Sequence, residues 1–321
     1  MEACMRVQFW GVRGSIPTPL SPAEIEAKVI AMAEDVVRSG VHDPEQVATY
    51  LRGHHSKFVR STVGGNTTCV SADWPGGTVI FDAGTGIRPF GLELMDTHFG
   101  KGGGTIHLLM SHTHWDHIMG FPYFAPLFQR NTIHIYGVHP NLEERFRGQQ
   151  KPEYFPVPLD IYPAKLVFHQ IEADKWYNLP DEGRFRAHKL SHPGDCYGYR
   201  LEHNNAAMVF ATDSEYKQKD TSYIDNAIDF FQDADLLIFD SQYTLEESLM
   251  KEDWGHSTAV VGVDIAVRAN VKTLALFHHE PNYSDAFIRD LNQKACRYHD
   301  INYPDNNLEI IVSMEGLTMK L

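Results

Sequence analysis

At 321 residues the chain can bury a sizeable core, as one large domain or two small ones. Its apolar fraction of 43% and charged fraction of 22% are those of an ordinary globular protein. With no long apolar run and no apolar stretch in "MEACMRVQFWG", neither a membrane span nor a secretory leader is expected. A formal charge of −14 argues against a long nucleic-acid partner, which normally needs a basic face. Four scattered cysteines without a C-x-x-C pair fit a reducing compartment, the cytoplasm.

In chain order, "MRVQFWG" reads as the first strand. Residues 21–59 then read as a helical insertion, a candidate lid. Ser21 can cap a helix with Pro22 at its first position, Ile25, Val29, Met32, Val36 and Val37 recur at helical spacing, and Gly40 stands where the helix would stop. Strands follow in "TTCVSADW", "GTVIFDAG" and "TIHLLMSH", separated by glycine-rich turns that suit antiparallel pairing. The proline- and aromatic-rich stretch 121–165 reads as an irregular wall. Further strands are expected near 164–171, 184–192, 197–203 and 207–212, then a helix over 222–233 and the strand "DLLIFD". A helix in "STAVVGVDIAVRAN", the strand "VKTLALFHH", a helix near 284–299 and the strand "LEIIVSM" close the chain. Strands first, then helices interleaved with strands, predict a layered α+β sandwich, a single domain over 1–321.

Chemistry concentrates in "HTHWDH", residues 112–117, directly after a strand. Imidazoles and carboxylates suit zinc and related divalent metals. His112 and His114, two apart at a strand end, can point the same way, whereas Asp116 and His117 at the following turn diverge, so the pairs can serve two metals. A dinuclear site needs further ligands at other strand ends. His192 precedes a Pro-Gly turn, Asp213 follows "MVFAT", and His278 and His279 end "TLALFHH". All are loop positions on strand termini, where functional groups gather.

The order H-x-H-x-D-H, a lone His, an Asp after a strand and a late His resembles the metallo-β-lactamase superfamily, from "IFDAGTG" to "LFHHEP". The resemblance implies a four-layer αββα sandwich carrying two divalent ions, zinc foremost, with manganese or iron as alternatives. By motif, His112, His114 and His192 would bind one ion. Asp116, which doubles as a catalytic group, His117 and His278 would bind the second, with Asp213 bridging. Asp213 stands where B-class lactamases carry a cysteine, which disfavours lactam cleavage.

Two divalent ions can lower the pKa of a bridging water towards ~7, a nucleophile for esters, thioesters and phosphodiesters alike. The choice of bond rests on "DWGHSTA", residues 253–259, which is similar to a segment of the ribonuclease Z branch and its phosphodiesterase relatives. There a histidine protonates the leaving oxygen, supported by an acidic residue. His256 and Asp240 would be the pair, although aspartate is one methylene shorter than the usual glutamate. An alkoxide leaving group needs such a donor, and a thiolate much less. The recognisable basic arm that grips transfer RNA is absent from the sequence. The expectation is therefore a phosphodiesterase on a small diester such as a cyclic nucleotide or cyclic phosphate. A thioesterase or lactonase of the glyoxalase II type and a tRNA 3′-processing endonuclease are the alternatives. "FWGVRGSIPTP" and "GGNTTC" resemble parts of bacterial members, so Arg13 and Asn66 are candidate phosphate contacts, with His279 as a third substrate contact. A homodimer is expected by resemblance alone.

Overall fold

The computed structural model describes residues 4–217 and 220–321. The first sheet is built from β1 (Arg6–Gly11), β2 (Cys69–Trp74), β3 (Gly77–Phe81), β4 (Thr105–Leu109), β5 (Thr132–Gly137) and β6 (Lys165–Gln170). The second holds β7 (Tyr177–Asn178), β8 (Arg184–Leu190), β9 (Cys196–His203), β10 (Ala206–Ala211), β11 (Leu236–Asp240), β12 (Thr273–Phe277) and β13 (Glu309–Val312). The C-terminal β14 (Thr318–Lys320) returns to pair with β1, so the strand orders are 14-1-2-3-4-5-6 and 13-12-11-10-9-8-7.

The layering follows from strands that are apolar on both faces. Val79, Phe81 and Leu109 of the first sheet meet Phe185, Tyr199, Phe210, Ile238 and Phe277 of the second in a central core. The intervening residues Ile80, Ile106 and Leu108 point outward instead, beneath the helices Ile87–Met95 and Leu142–Gln149. Leu237, Phe239, Leu274 and Leu276 do the same beneath Thr221–Phe231 and Ala259–Arg268. Strands covered on both faces read as near-continuous apolar runs, which is why "TVIF", "LLIF" and "TLALF" show no alternation. Three cores between four layers make an αββα sandwich.

The pairing corrects part of the sequence reading. β1–β2 and β2–β3 are antiparallel as expected, but β3–β4, β4–β5 and β5–β6 are parallel. The β3–β4 link is a crossover through Ile87–Met95, whose "IRPFGLELM" hides a helix behind a proline and a glycine. Likewise, the supposed irregular wall 121–165 contains β5 and the helix Leu142–Gln149 between short 3₁₀ turns. β10 through β13 are also parallel. Parallel strands deliver their carboxyl ends to one edge, where ligand sites form in such sheets.

The insertion is helical, as Pro22–Ser39, Pro44–His54 and Lys57–Arg60. Ser21 and Glu24 form a reciprocal capping box, and Gly40 ends the first helix at φ 73°. None of the three helices buries a residue. Lys28 ties the insertion down by bonding the Phe58 and Ser61 carbonyls and pairing with Asp285 at 2.9 Å. Among the described residues, the insertion contributes nothing to the lining of the cleft described next.

Candidate metal centre

The carboxyl ends of the central strands converge at one edge of the sandwich. After β4 the chain extends to His112 and His114, and a short helix, Trp115–Ile118, carries Asp116 and His117 in its first turn. His192 follows β8, Asp213 follows β10, Asp240 closes β11 and His278 follows β12. Of the proposed ligands, four come from the first sheet and three from the second.

These side chains form two adjoining sets. His112, His114 and His192 present nitrogens close enough to share one cation, and Asp116, His117, Asp213 and His278 form the other group. Asp213 faces both. Its Oδ2 lies 3.7 Å from both His112 Nε2 and His192 Nε2, while its Oδ1 lies 3.3 Å from His117 Nε2 and 3.2 Å from His278 Nε2. Asp116 Oδ2 stands 3.2 Å from both His117 Nε2 and His278 Nε2. A carboxylate that turns one oxygen to each set is the geometry a bridging ligand requires.

The far sides of the rings are held in turn. His117 Nδ1 donates to Asp82 Oδ2 at 2.7 Å, His278 Nδ1 to Gln242 Oε1 at 3.0 Å, and His192 Nδ1 to the Gly255 carbonyl at 2.9 Å. Ser111 Oγ lies 3.0 Å from His112 Nδ1 and donates to Asp82 Oδ2 at 2.6 Å. Committing one nitrogen to an acceptor fixes the tautomer and aims the other at the cage. Two glycines make room. A Cβ on Gly255, at φ +83°, would fall 2.3 Å from His192 Nδ1, and one on Gly14 would fall 2.6 Å from the His278 ring. Asp82, Asp213 and His278 themselves take φ of 58°, 56° and 62°, strained values for residues with side chains.

The charges anticipate a cation. Burial alone would lower His117, but Asp116, Asp213 and Asp82 outweigh it and hold the imidazole well above its ordinary value. Burial likewise opposes His278, yet Asp213 and the bond to Asp116 push it up to about 9. The two carboxylates lie well below their usual range, since His117 and His278 overcome the effect of burial. Meanwhile Nε2 of His112 and of His117 are buried without a hydrogen-bond partner. Buried polar atoms are seldom left so. An N/O donor set of this kind, with inward-facing unpartnered nitrogens, fits divalent metal ions of the zinc type.

Beside this cage stands His256. Its Nδ1 donates to Asp240 Oδ2 at 2.7 Å, so the shorter aspartate does reach. The fully buried Asp240 is itself fixed by the backbone N–H groups of Gln242 and Ser214 at 3.0 and 3.3 Å. The His256 ring stacks on His278 with centroids 5.1 Å apart and lines the same cleft as His114, Asp116, His192 and Asp213.

Three candidate substrate contacts are placed elsewhere. Arg13 is 2% exposed and its guanidinium bonds the carbonyls of Gly64, Glu280 and Tyr283, a loop clamp rather than a phosphate contact. Asn66 donates its side-chain and backbone N–H groups to Glu315. His279 is buried, bonds the Ser313 carbonyl at 2.9 Å, and is pushed down to about 3 by burial. Adjacent residues around a strand end point apart, and His278 takes the cage side. Sequence reasoning missed Asp82, Gln242 and Ser15, whose N–H donates to Asp116 at 2.8 Å. Asp82 had a usable signal, for "TVIFD" repeats the pattern of "LLIFD", and each closing aspartate holds a histidine Nδ1 at 2.7 Å.

Sandwich and cage together define a protein with a candidate two-metal centre at one edge of its sheets. Residues 77–279 match the family described as the beta-lactamase superfamily domain, and the chain belongs to that metallo-β-lactamase superfamily. A ribonuclease Z from Prochlorococcus marinus (strain NATL1A) is 41% identical over 146 residues, which span 43% of this chain and only 41% of that protein. Among solved structures, the metallo-beta-lactamase fold protein YhfI from Bacillus subtilis superposes with a TM-score of 0.63 at 17% identity, covering 100% of both chains. Unliganded yeast PDE1 superposes with a TM-score of 0.61 at 10% identity, covering 99% of this chain and 100% of that one. At such identities the structures are alike in fold alone. Among the described residues, no helix is long and apolar enough to cross a membrane.

Proposed function

We propose that the protein hydrolyses a small phosphodiester, such as a cyclic nucleotide or cyclic phosphate. His112, His114 and His192 would hold one divalent ion, and Asp116, His117 and His278 the other, with Asp213 facing both sets. Zinc suits the set best. The ions supply Lewis acidity toward phosphoryl oxygens and an activated water at neutral pH.

The observation that carries the choice of bond is the His256–Asp240 contact of 2.7 Å at the edge of the cage. Asp240 orients the ring so that Nε2 can give a proton to the departing oxygen. A poor alkoxide leaving group needs that proton, whereas a thiolate or an activated carboxylic ester does not. Asp116 keeps its carboxylate ionised beside His117 and His278 and is itself held by the Ser15 N–H. The charge of −14 favours a small substrate. The similarity to a ribonuclease Z keeps tRNA 3′ processing as a second reading.

The test combines metal analysis of the purified protein with a turnover panel of cyclic nucleotides, linear diesters, a thioester, a lactone and a precursor tRNA. Hydrolysis of the diesters with the thioester and lactone untouched is expected. Preferred thioester or lactone cleavage overturns the reading, and preferred cleavage of the precursor tRNA replaces the small substrate.

A further inference from the structure

Trp115 stands between two residues of the cage, yet its own side chain is 81% exposed. It has company. Tyr154 is 78% exposed and Tyr123 57%, and with Phe155 these rings line one cavity of about 600 Å³. The Tyr123 and Phe155 rings meet edge to face at 5.6 Å and 79°, which gives the cavity one fixed aromatic wall. Exposed large apolar side chains gathered around one concavity mark a binding surface, not chance. The cavity runs into the metal cleft, because Thr113 and Trp115 line both.

One polar group restricts what fits. Arg145 donates to Thr113 Oγ1 at 3.0 Å, and Thr113 lines both the cavity and the cleft, so a cation that among the described residues forms no ion pair sits beside their junction. A cavity with aromatic faces and one cation at the cleft end suits a planar heterocycle tethered to a phosphate. An acyl chain would use neither the flat aromatic faces nor the cation. A second concavity, lined by Tyr216, Leu245 and Leu249, meets the cleft at His256 instead. The proton donor stands where the leaving group departs, so the aromatic cavity faces the group that stays on phosphorus.

We propose that the cavity bounded by Trp115, Tyr123 and Tyr154 is the subsite for a nucleobase on the retained side of the phosphodiester, which makes nucleotides the substrate class. This rests on the phosphodiesterase reading above. One base–aromatic stack contributes enough to change affinity by about tenfold.

The experiment uses the zinc-loaded protein and two diesters with one leaving group, thymidine 5′-(4-nitrophenyl phosphate) and methyl 4-nitrophenyl phosphate. The nucleoside ester should lead in kcat/KM by about tenfold or more, chiefly through KM, and Tyr154→Ala should bring the ratio close to one. Equal kcat/KM values, or a ratio unchanged by Tyr154→Ala, overturn the subsite. In parallel, calorimetry should give AMP at least tenfold tighter binding than ribose 5-phosphate. If neither diester turns over while AMP keeps that advantage, the phosphodiesterase reading falls and the subsite stands. If both are hydrolysed alike and AMP has no advantage, the subsite falls and the phosphodiesterase reading stands.

Discussion

His256 Nδ1 lies 2.7 Å from Oδ2 of Asp240, a carboxylate with no solvent exposure that is pinned by backbone N–H groups on both of its oxygens. So immobile an acceptor sets the orientation of the ring and turns its Nε2 away from Asp240. General acid catalysis of this kind typically contributes about 10²–10⁴-fold. His256→Ala should lower turnover of alkyl phosphodiesters by that order while reducing 4-nitrophenyl diester hydrolysis far less, with metal content unchanged. Equal losses on both substrates, measured as kcat with metals quantified, would remove the proton-donor role.

Asp213 gives one oxygen to each ligand set. Asp213→Asn keeps the size but turns one oxygen into a donor, so the variant should bind fewer than two ions per chain. Elemental analysis after exhaustive dialysis decides the point, and a retained stoichiometry of two would rule out bridging.

Gly255 combines φ +83° with a Cβ direction that ends 2.3 Å from His192 Nδ1. Gly255→Ala should displace His192 and its bond to the residue 255 carbonyl, and the left-handed backbone alone adds roughly 1–2 kcal/mol of strain. Thermal unfolding should show a modest loss of stability. Metal titration should show a larger loss confined to the ion held by His112, His114 and His192.

Protons compete with metal for this cage. In the metal-free protein His278 is raised from 6.5 to about 9 by Asp213 and Asp116, against the effect of burial. A raised folded-state value stabilises fully below about 6.5, and that stabilisation is lost as pH climbs through about 9. Metal-free protein should therefore lose thermal stability across that window, whereas apparent metal affinity should rise over the same range. Titration calorimetry in buffers of different ionisation enthalpy should detect proton release on metal binding at pH 7–8. The absence of any released proton would contradict the charge arrangement.

Much of this centre was legible in the sequence because chelation demands particular side chains at strand ends. "HTHWDH" and the later His192, Asp213 and His278 supply them, and the structure brings all seven together. What stayed hidden depended on direction and not on residue type. Arg13 has the right chemistry for phosphate, but its loop turns it inward to carbonyl acceptors. The helix Ile87–Met95 was masked by Pro89 and Gly91, residues that read as turns unless packing offsets their poor propensity. Phe90 and Leu94 provide that packing against the first sheet. Gln242 gave no signal at all, since an amide two residues past a strand is ordinary until His278 is placed beside it.

The seven proposed ligands are divided between the two sheets, and the seam there is also crossed by the Tyr199 hydroxyl on the Met110 carbonyl at 2.7 Å and by the Tyr197 N–H on the Ser111 carbonyl at 3.0 Å. Bound ions would thus rivet two slabs that otherwise adhere through non-directional apolar contact. The spacing between the ions becomes a gauge of how far one slab has slid over the other. Amide exchange at Met110–His112 and Ala211–Asp213 would then report on metal loading as directly as on local order.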